Sequence, residues 1–298
     1  MNLTILGDPH ITEDSIPELR DIFQETVSYG NKEKETLIIL GDYYDNKRPS
    51  PKELYFGTKS IDFLKKYFKQ IVLLTGNHAE LAKDLSNVDY LEFLNIIVCD
   101  EYEVTEKKEN PGIFFGHFMT NESLLNYGYY DRDRTIGQLE KYQFVLLGHQ
   151  HTFQEVRKTI YHLGSCRWVT YGEKEDKEKY LCKVEGDKFN FIPLKSPIPI
   201  KEVLSIEELK DIPIKTKVLL SYKNFEQYKN EIVAIQNWKS KFYAFKIKLD
   251  FQEMPAIDKQ YDSDYETIFN SFLNNIKDNE VKKLLKEHFL EAKENYIR

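Results

Sequence analysis

The sequence predicts a layered α/β fold, and three observations carry that expectation. Short apolar runs alternate with runs of helical period through the first half of the chain. The order β-α-β-α-β belongs to the α/β class. Each apolar run stops at a glycine followed by a hard or borderline metal ligand, as at the carboxyl ends of strands in open α/β sheets.

Residues 3–6 form the first expected strand, ending at Gly7-Asp8. Ser15, with Glu18 three residues on, reads as a capping box for a helix carrying Leu19, Phe23 and Val27. A second strand at 37–40 ends at Gly41-Asp42, and a helical pattern follows through Ile61, Phe63, Leu64 and Phe68. A third strand at 71–74 ends at Gly76-Asn77-His78. Two more, at 112–115 and 144–147, run into Gly116-His117 and Gly148-His149. The pattern then becomes strand-rich, at 153–156, 160–163, 180–184 and 189–192, before a Pro-containing linker at 193–199.

Residues from about 200 to 250 alternate apolar and polar, as expected of a small α+β module. Its ten lysines outnumber its seven acidic residues, so it is the basic part of an acidic chain. The last segment reads as two amphipathic helices. Ser263 and Glu266 cap the first, with the stripe Ile268, Phe269, Phe272, Leu273 and Ile276. Asp278 caps the second, with Val281, Leu284, Leu285, Phe289 and Ala292. The expected division is 1–195, 200–255 and 260–298.

Composition narrows the function classes. The 298 residues are 41% hydrophobic and 14% aromatic, which fits a folded globular chain. The net charge of −7 does not advertise nucleic-acid binding, although metal-binding carboxylates are neutralised by their ions. Cys99, Cys166 and Cys182 form no CxxC pair, and reduced thiols in the cytosol are the plain reading. No secretory signal is expected, because the N-terminus enters a strand at once. No apolar run approaches the roughly 20 residues of a membrane helix.

Five of the seven histidines lie in the glycine-terminated segments: His10, His78, His117, His149 and His151. They are joined by Asp8, Asp42, Asp45 and Asn77. The Asp-x-His and His-x-His spacings put alternate side chains on one side of an extended segment, as a shared metal requires. His162 and His288 lie elsewhere and read as structural. Mixed carboxylate and imidazole donors suit manganese, iron or zinc rather than calcium. Two such ions would clamp an in-line phosphoryl displacement, with Asp42 as the carboxylate between them. A protonated histidine near the leaving oxygen would be the general acid.

The ordered set Asp-x-His, Gly-Asp-x-x-Asp, Gly-Asn-His, Gly-His and Gly-His-x-His spans residues 7 to 151. In it the sequence resembles the calcineurin-like metallophosphoesterase superfamily. The resemblance implies a four-layer α/β/β/α sandwich with a capping module and C-terminal helices. It assigns one divalent ion to Asp8, His10, Asp42 and His151, and a second to Asp42, Asn77, His117 and His149. His78 matches the family's histidine that contacts the scissile phosphate, and Asp45 the last aspartate of the second motif, a catalytic position that supports the metal ligands rather than joining them.

Within the superfamily the chain resembles the SbcD-type DNA nuclease branch, through Tyr161-His162-Leu163-Gly164-Ser165 and Gly172-Glu173. That branch implies DNA as substrate and manganese as metal, with magnesium, iron or zinc as alternatives. It also implies an SbcC-type ATPase partner at the C-terminal helices, a homodimer, and the cytosol. The sequence departs from the branch at Ala79-Glu80, where aspartate usually follows Gly-Asn-His; either Glu80 replaces that carboxylate or the local hydrogen bonding differs. Asp131-Arg132-Asp133-Arg134 reads as a solvated charged loop. A small-molecule phosphodiesterase or phosphatase with the same metals is the alternative. A non-catalytic subunit is disfavoured because every expected ligand position is filled. The protein-phosphatase branch continues its second motif with Arg-Gly, whereas Asn46-Lys47 follow Asp45 here.

Overall fold

The computed structural model describes residues 1–82, 85–105, 112–123, 135–186, 188–250, 273 and 279–296. The charged loop at 131–134, the cap pair Ser263 and Glu266 and most of the first C-terminal helix lie outside them. The chain divides into two compact units, Met1–Ile198 and Pro199–Arg298.

The first unit begins with β1 (Asn2–Leu6), α1 (Ile16–Thr26), β2 (Thr36–Ile39), α2 (Pro51–Leu64) and β3 (Gln70–Leu74). A small hairpin follows, β4 (Glu80–Ala82) and β5 (Leu85–Ser86), then β6 (Ile97–Cys99) and β7 (Tyr102–Val104). Next come β8 (Ile113–Gly116), α3 (Ile136–Leu139), β9 (Phe144–Leu147), β10 (Gln154–Arg157) and β11 (Ile160–His162). The unit closes with β12 (Tyr180–Glu185) and β13 (Lys188–Pro193). Two sheets result, of order β13-β12-β1-β2-β3-β6 and β10-β11-β9-β8-β7. The strands β1, β2 and β3 are mutually parallel, as are β8 and β9.

Side-chain alternation builds the layers. Leu3, Ile5, Ile38, Leu40, Val72 and Leu74 point one way and meet Ile113, Phe115, Phe144 and Leu146 of the second sheet. Their neighbours Leu6, Leu37, Ile39, Ile71 and Leu73 point the other way, onto Leu19, Ile22 and Phe23 of α1 and Ile61 and Leu64 of α2. Phe114, Val145 and Leu147 face outward from the second sheet and are covered by Ile136 and Leu139 of α3. Strands apolar on both faces are what two flanking layers demand, so the mixed α/β sandwich is the observed architecture.

One local expectation is corrected. Ser15 precedes α1 with helical angles and makes no side-chain cap bond. Its hydroxyl instead accepts from the Thr12 amide at 2.9 Å, and buried Glu18 accepts from the Ile198 amide at 2.7 Å. The capping box belongs to α2, where Ser50 and Glu53 satisfy each other's amides and Pro51 opens the helix. The division between the units, at Ile198 and Pro199, falls within the expected linker at 193–199, whose first residues are held by α1. Pro193 closes β13, and the amides of Lys195 and Ser196 donate to the Glu25 carboxylate.

The second unit carries β14 (Ile200–Val203), β15 (Lys217–Tyr222), α4 (Phe225–Lys239), β16 (Ala244–Leu249) and α5 (Asn279–Tyr296). Its three strands are parallel in the order β14-β15-β16. Val218, Leu220 and Tyr222 pack with Tyr228, Ile232 and Ile235 of α4 and with Leu285 of α5. Buried His288 ties α5 to α4 through the Tyr228 hydroxyl. No helix among the described residues is long and apolar enough to cross a membrane.

Candidate metal centre

All five ligand-bearing loops leave the carboxyl ends of β1, β2, β3, β8 and β9, so the sheets deliver them to one end of the sandwich. The first two loops are zipped together by their backbones. His10 N donates to Asp42 O at 2.9 Å, Ile11 N to Tyr43 O at 2.9 Å, and Asp45 N to Ile11 O at 3.2 Å. Three of the four described non-glycine residues with positive φ lie here: His10 at 46°, Asp42 at 39° and His149 at 77°. Left-handed backbone at such residues is disfavoured and persists where surrounding contacts enforce it.

Two glycines let the loops approach. A Cβ on Gly41, whose φ is 120°, would lie 2.3 Å from His117 Nδ1. One on Gly148 would lie 2.5 Å from both Asp8 Oδ1 and the Leu40 carbonyl. Both positions therefore exclude any side chain.

The donor atoms converge. Ligand atoms of Asp42, His117 and His149 all lie within 4.8 Å of one another. His117 Nε2 is 3.1 Å from Asp42 Oδ2 and 3.1 Å from Asn77 Oδ1, and His149 Nδ1 is 2.7 Å from the same Asn77 oxygen. A second cluster joins His10, Asp45 and His78. In it His10 Nδ1 donates to Asp45 Oδ1 at 3.1 Å, which leaves His10 Nε2 facing Asp42 Oδ2 at 3.8 Å. We read Asp45 as the group that orients His10 rather than as a donor to an ion. His151 packs edge-on against His10, with ring centroids 4.7 Å apart, and its Nδ1 donates to Glu173 Oε1 at 3.2 Å. Asp8 anchors the fifth loop by accepting from the His149 amide at 2.8 Å.

The residues present fit a pair of divalent ions. Asp8 Oδ1 and His10 Nε2 are buried without a hydrogen-bond partner. Leaving such groups unsatisfied costs free energy unless something else binds them. The donor set is carboxylate, imidazole and amide oxygen, which suits first-row metals.

Charge supports the same reading. Burial disfavours a charged His117, but Asp8 at 3.6 Å and Asp42 at 3.1 Å hold its proton and push its pKa up to about 10. Burial works against the Asp42 charge too, yet the hydrogen bond from His117 holds Asp42 well below the usual carboxylate range. Burial lowers both His10 and His149, keeping those rings neutral and able to donate lone pairs. Without ions, the His117 proton offsets the clustered carboxylates. An ion binding there must displace it.

Asp8, His10 and Asp42 are buried, His78, His117, His149 and His151 are half-buried, and Asn77 is exposed. Asn77 and His78 therefore lie toward the open side. His78 is held by its amide, which donates to Asp42 Oδ1 at 2.9 Å, and by its Nδ1, which donates to the Asp45 carbonyl.

Three supporting residues escaped the sequence reading. Glu173, marked in the sequence only by its Gly-Glu match, orients His151 and is itself held by Lys179 Nζ at 2.7 Å. Buried Arg167 donates to the carbonyls of Pro9 and His10. Asn87 Nδ2 donates to Asn46 O at 3.0 Å and His78 O at 3.5 Å, joining the second and third loops. Glu80 is exposed on β4 and Ala79 is buried in the helix-side core, so Asn87 rather than Glu80 joins Asp42 in tying this loop down. Neither Arg167 nor Asn87 sits in a motif, so the sequence carried no signal for them. His162 lies outside the donor clusters: it donates to the Gly148 carbonyl at 3.0 Å and accepts from Ser123 Oγ at 2.7 Å.

No curated protein matches the chain. A solved structure described as a novel archaeal phosphodiesterase is 19% identical, with 65% of this chain and 100% of that one covered. Its TM-score is 0.39, and a likeness that distant bears on neither fold nor function. A family model matches residues 1–288, and the chain belongs to the calcineurin-like phosphoesterase family.

Proposed function

We propose that this phosphoester hydrolase is a two-metal DNA nuclease of the SbcD type. The observation that carries the two-metal part is the convergence of the Asp42, Asn77, His117 and His149 donors beside the orphaned Asp8 and His10 atoms. One ion would be held by Asp8, His10, Asp42 and His151, and the other by Asp42, Asn77, His117 and His149. Manganese is the proposed native metal. When bound, the pair supplies Lewis acidity to the phosphoryl oxygens and lowers the pKa of water.

The chain's own groups prepare that chemistry. Asp45, Glu173 and the Leu40 carbonyl each accept from the Nδ1 of a histidine, which fixes the tautomer and leaves Nε2 as the lone-pair atom of His10, His151 and His117. His78 is tethered through its amide and Nδ1, so its Nε2 remains for the substrate. In protonated form it would give its proton to the departing sugar oxygen.

DNA as the substrate is supported by the segment that resembles the SbcD branch. Its Gly164-Ser165 turn packs against the metal loops, with the Ser165 amide donating to the His151 carbonyl at 2.9 Å, and its Glu173 orients His151. An SbcC-type ATPase on the C-terminal helices, and a homodimer, are part of the same proposal. The net charge of −7 favours the other reading, a small-nucleotide phosphodiesterase with the same centre.

Incubation with end-labelled single- and double-stranded DNA in manganese, magnesium or chelator separates the two. Manganese-dependent cleavage, reduced at least ~100-fold in Asp42→Ala and His78→Ala, is the expected result. Intact DNA beside a hydrolysed small phosphodiester, with the same metal and mutant dependence, would sink the nuclease and keep the metal centre.

A further inference from the structure

We propose that Arg167 is the positioning residue that holds His10 in its left-handed backbone conformation and so aims its Nε2 into the metal centre. The inference rests on the two-metal reading above. Arg167 is only 5% exposed, and each of its three side-chain nitrogens meets a backbone carbonyl. Nε donates to the Pro9 carbonyl at 2.9 Å, Nη2 to the His10 carbonyl at 2.6 Å, and Nη1 to the Trp168 carbonyl at 3.4 Å. Glu18 Oε2, 3.8 Å from Nη1, is the counter-charge.

The geometry explains why the site needs this group. His10 has φ 46° although it is not glycine. The direction of the Pro9 carbonyl tracks rotation about φ, and that of the His10 carbonyl tracks rotation about ψ. A single planar guanidinium that grips both oxygens restrains both angles of the strained residue at once. The backbone zipper to β2's loop fixes where His10 sits. The Asp45 carboxylate fixes the tautomer. Among the described residues, only Arg167 bonds the carbonyls on both sides of the His10 Cα. A lysine ammonium at the same place is a compact charge without that planar fork, so it replaces the charge and not the grip.

The test compares wild type, Arg167→Met and Arg167→Lys, loaded with manganese and read by electron paramagnetic resonance and calorimetric titration. Far-UV circular dichroism and melting in chelator report the ion-free fold. Wild type should show the exchange-coupled signal of an ion pair. R167M should bind one ion about 10–100-fold more weakly and show an uncoupled signal at concentrations that saturate wild type. R167K should fall between them. An R167M protein with the wild-type coupled signal and affinities overturns the assignment. If R167M does not fold, R167K decides: a weakened coupled signal supports the assignment, and a wild-type signal overturns it. A wild type that binds no ion pair overturns the two-metal reading, and this inference falls with it.

Discussion

His162 shows how one buried residue sets a pH limit. It is fully buried, with its Nδ1 proton on the Gly148 carbonyl and its Nε2 accepting from Ser123. Burial pushes its pKa down from 6.5 to about 4. The folded pKa lies below the unfolded one, so between those values the unfolded chain binds the extra proton. Stability is therefore full above about pH 6.5, falls as the pH drops, and levels off below about pH 4. The loss attributable to this residue is on the order of 3 kcal/mol. Urea unfolding in chelator between pH 7 and pH 4.5 should show it. His162→Gln, which cannot charge, should have a visibly shallower pH slope. Equal slopes for the two proteins would remove His162 from the account. The residue that stabilises Gly148 is thus not itself a donor to either ion cluster, although it sits one layer behind His149.

At the scale of elements, the strand ends do the assembling and the helices supply stability. Helix α2 starts with a complete capping box at Ser50 and Glu53 and packs Ile61 and Leu64 onto the first sheet. Ser50→Ala removes the acceptor for the Glu53 amide and should cost about 1 kcal/mol in urea unfolding. Manganese affinity should be unchanged, because no ligand lies on α2. A change in metal affinity would mean that the helix start and the Asp42–Asp45 loop are coupled. Ser15 before α1 looks equivalent in sequence, yet its hydroxyl turns back to the Thr12 amide and Glu18 is drawn to Ile198 and Arg167. The same Ser-x-x-Glu string thus caps one helix and builds a buried polar network beside the other. The deciding factor is what packs against each glutamate.

For the whole molecule, the division at Ile198 and Pro199 leaves every candidate ligand in the first unit. That unit also closes its own three apolar layers. A chain of residues 1–198 is therefore expected to fold, to gain melting temperature with manganese, and to hydrolyse a small phosphodiester such as bis(p-nitrophenyl) phosphate at a rate within about tenfold of the full chain. Saturation at ~100 times Kd should add about 2.7 kcal/mol of stability. A folded fragment that neither binds manganese nor turns over the small ester would show that the second unit completes the site. Loss of DNA cleavage alone would assign the second unit to substrate engagement.

Residue type and spacing alone carried the α/β class, the five glycine-terminated strand ends and the Asp, Asn and His residues that the fold gathers there. The reason is local. Strands with two covered faces must be apolar throughout, and a turn that presents a ligand beside a crowded neighbour must begin with glycine. What only the tertiary structure decided is which groups stand behind the donors. Glu173 behind His151, Arg167 behind His10, Asn87 behind His78 and the Leu40 carbonyl behind His117 all come from elsewhere in the chain. Such partners obey no short spacing rule, because a hydrogen bond asks only for proximity in space. The fold supplies that by stacking two sheets whose strand ends point the same way.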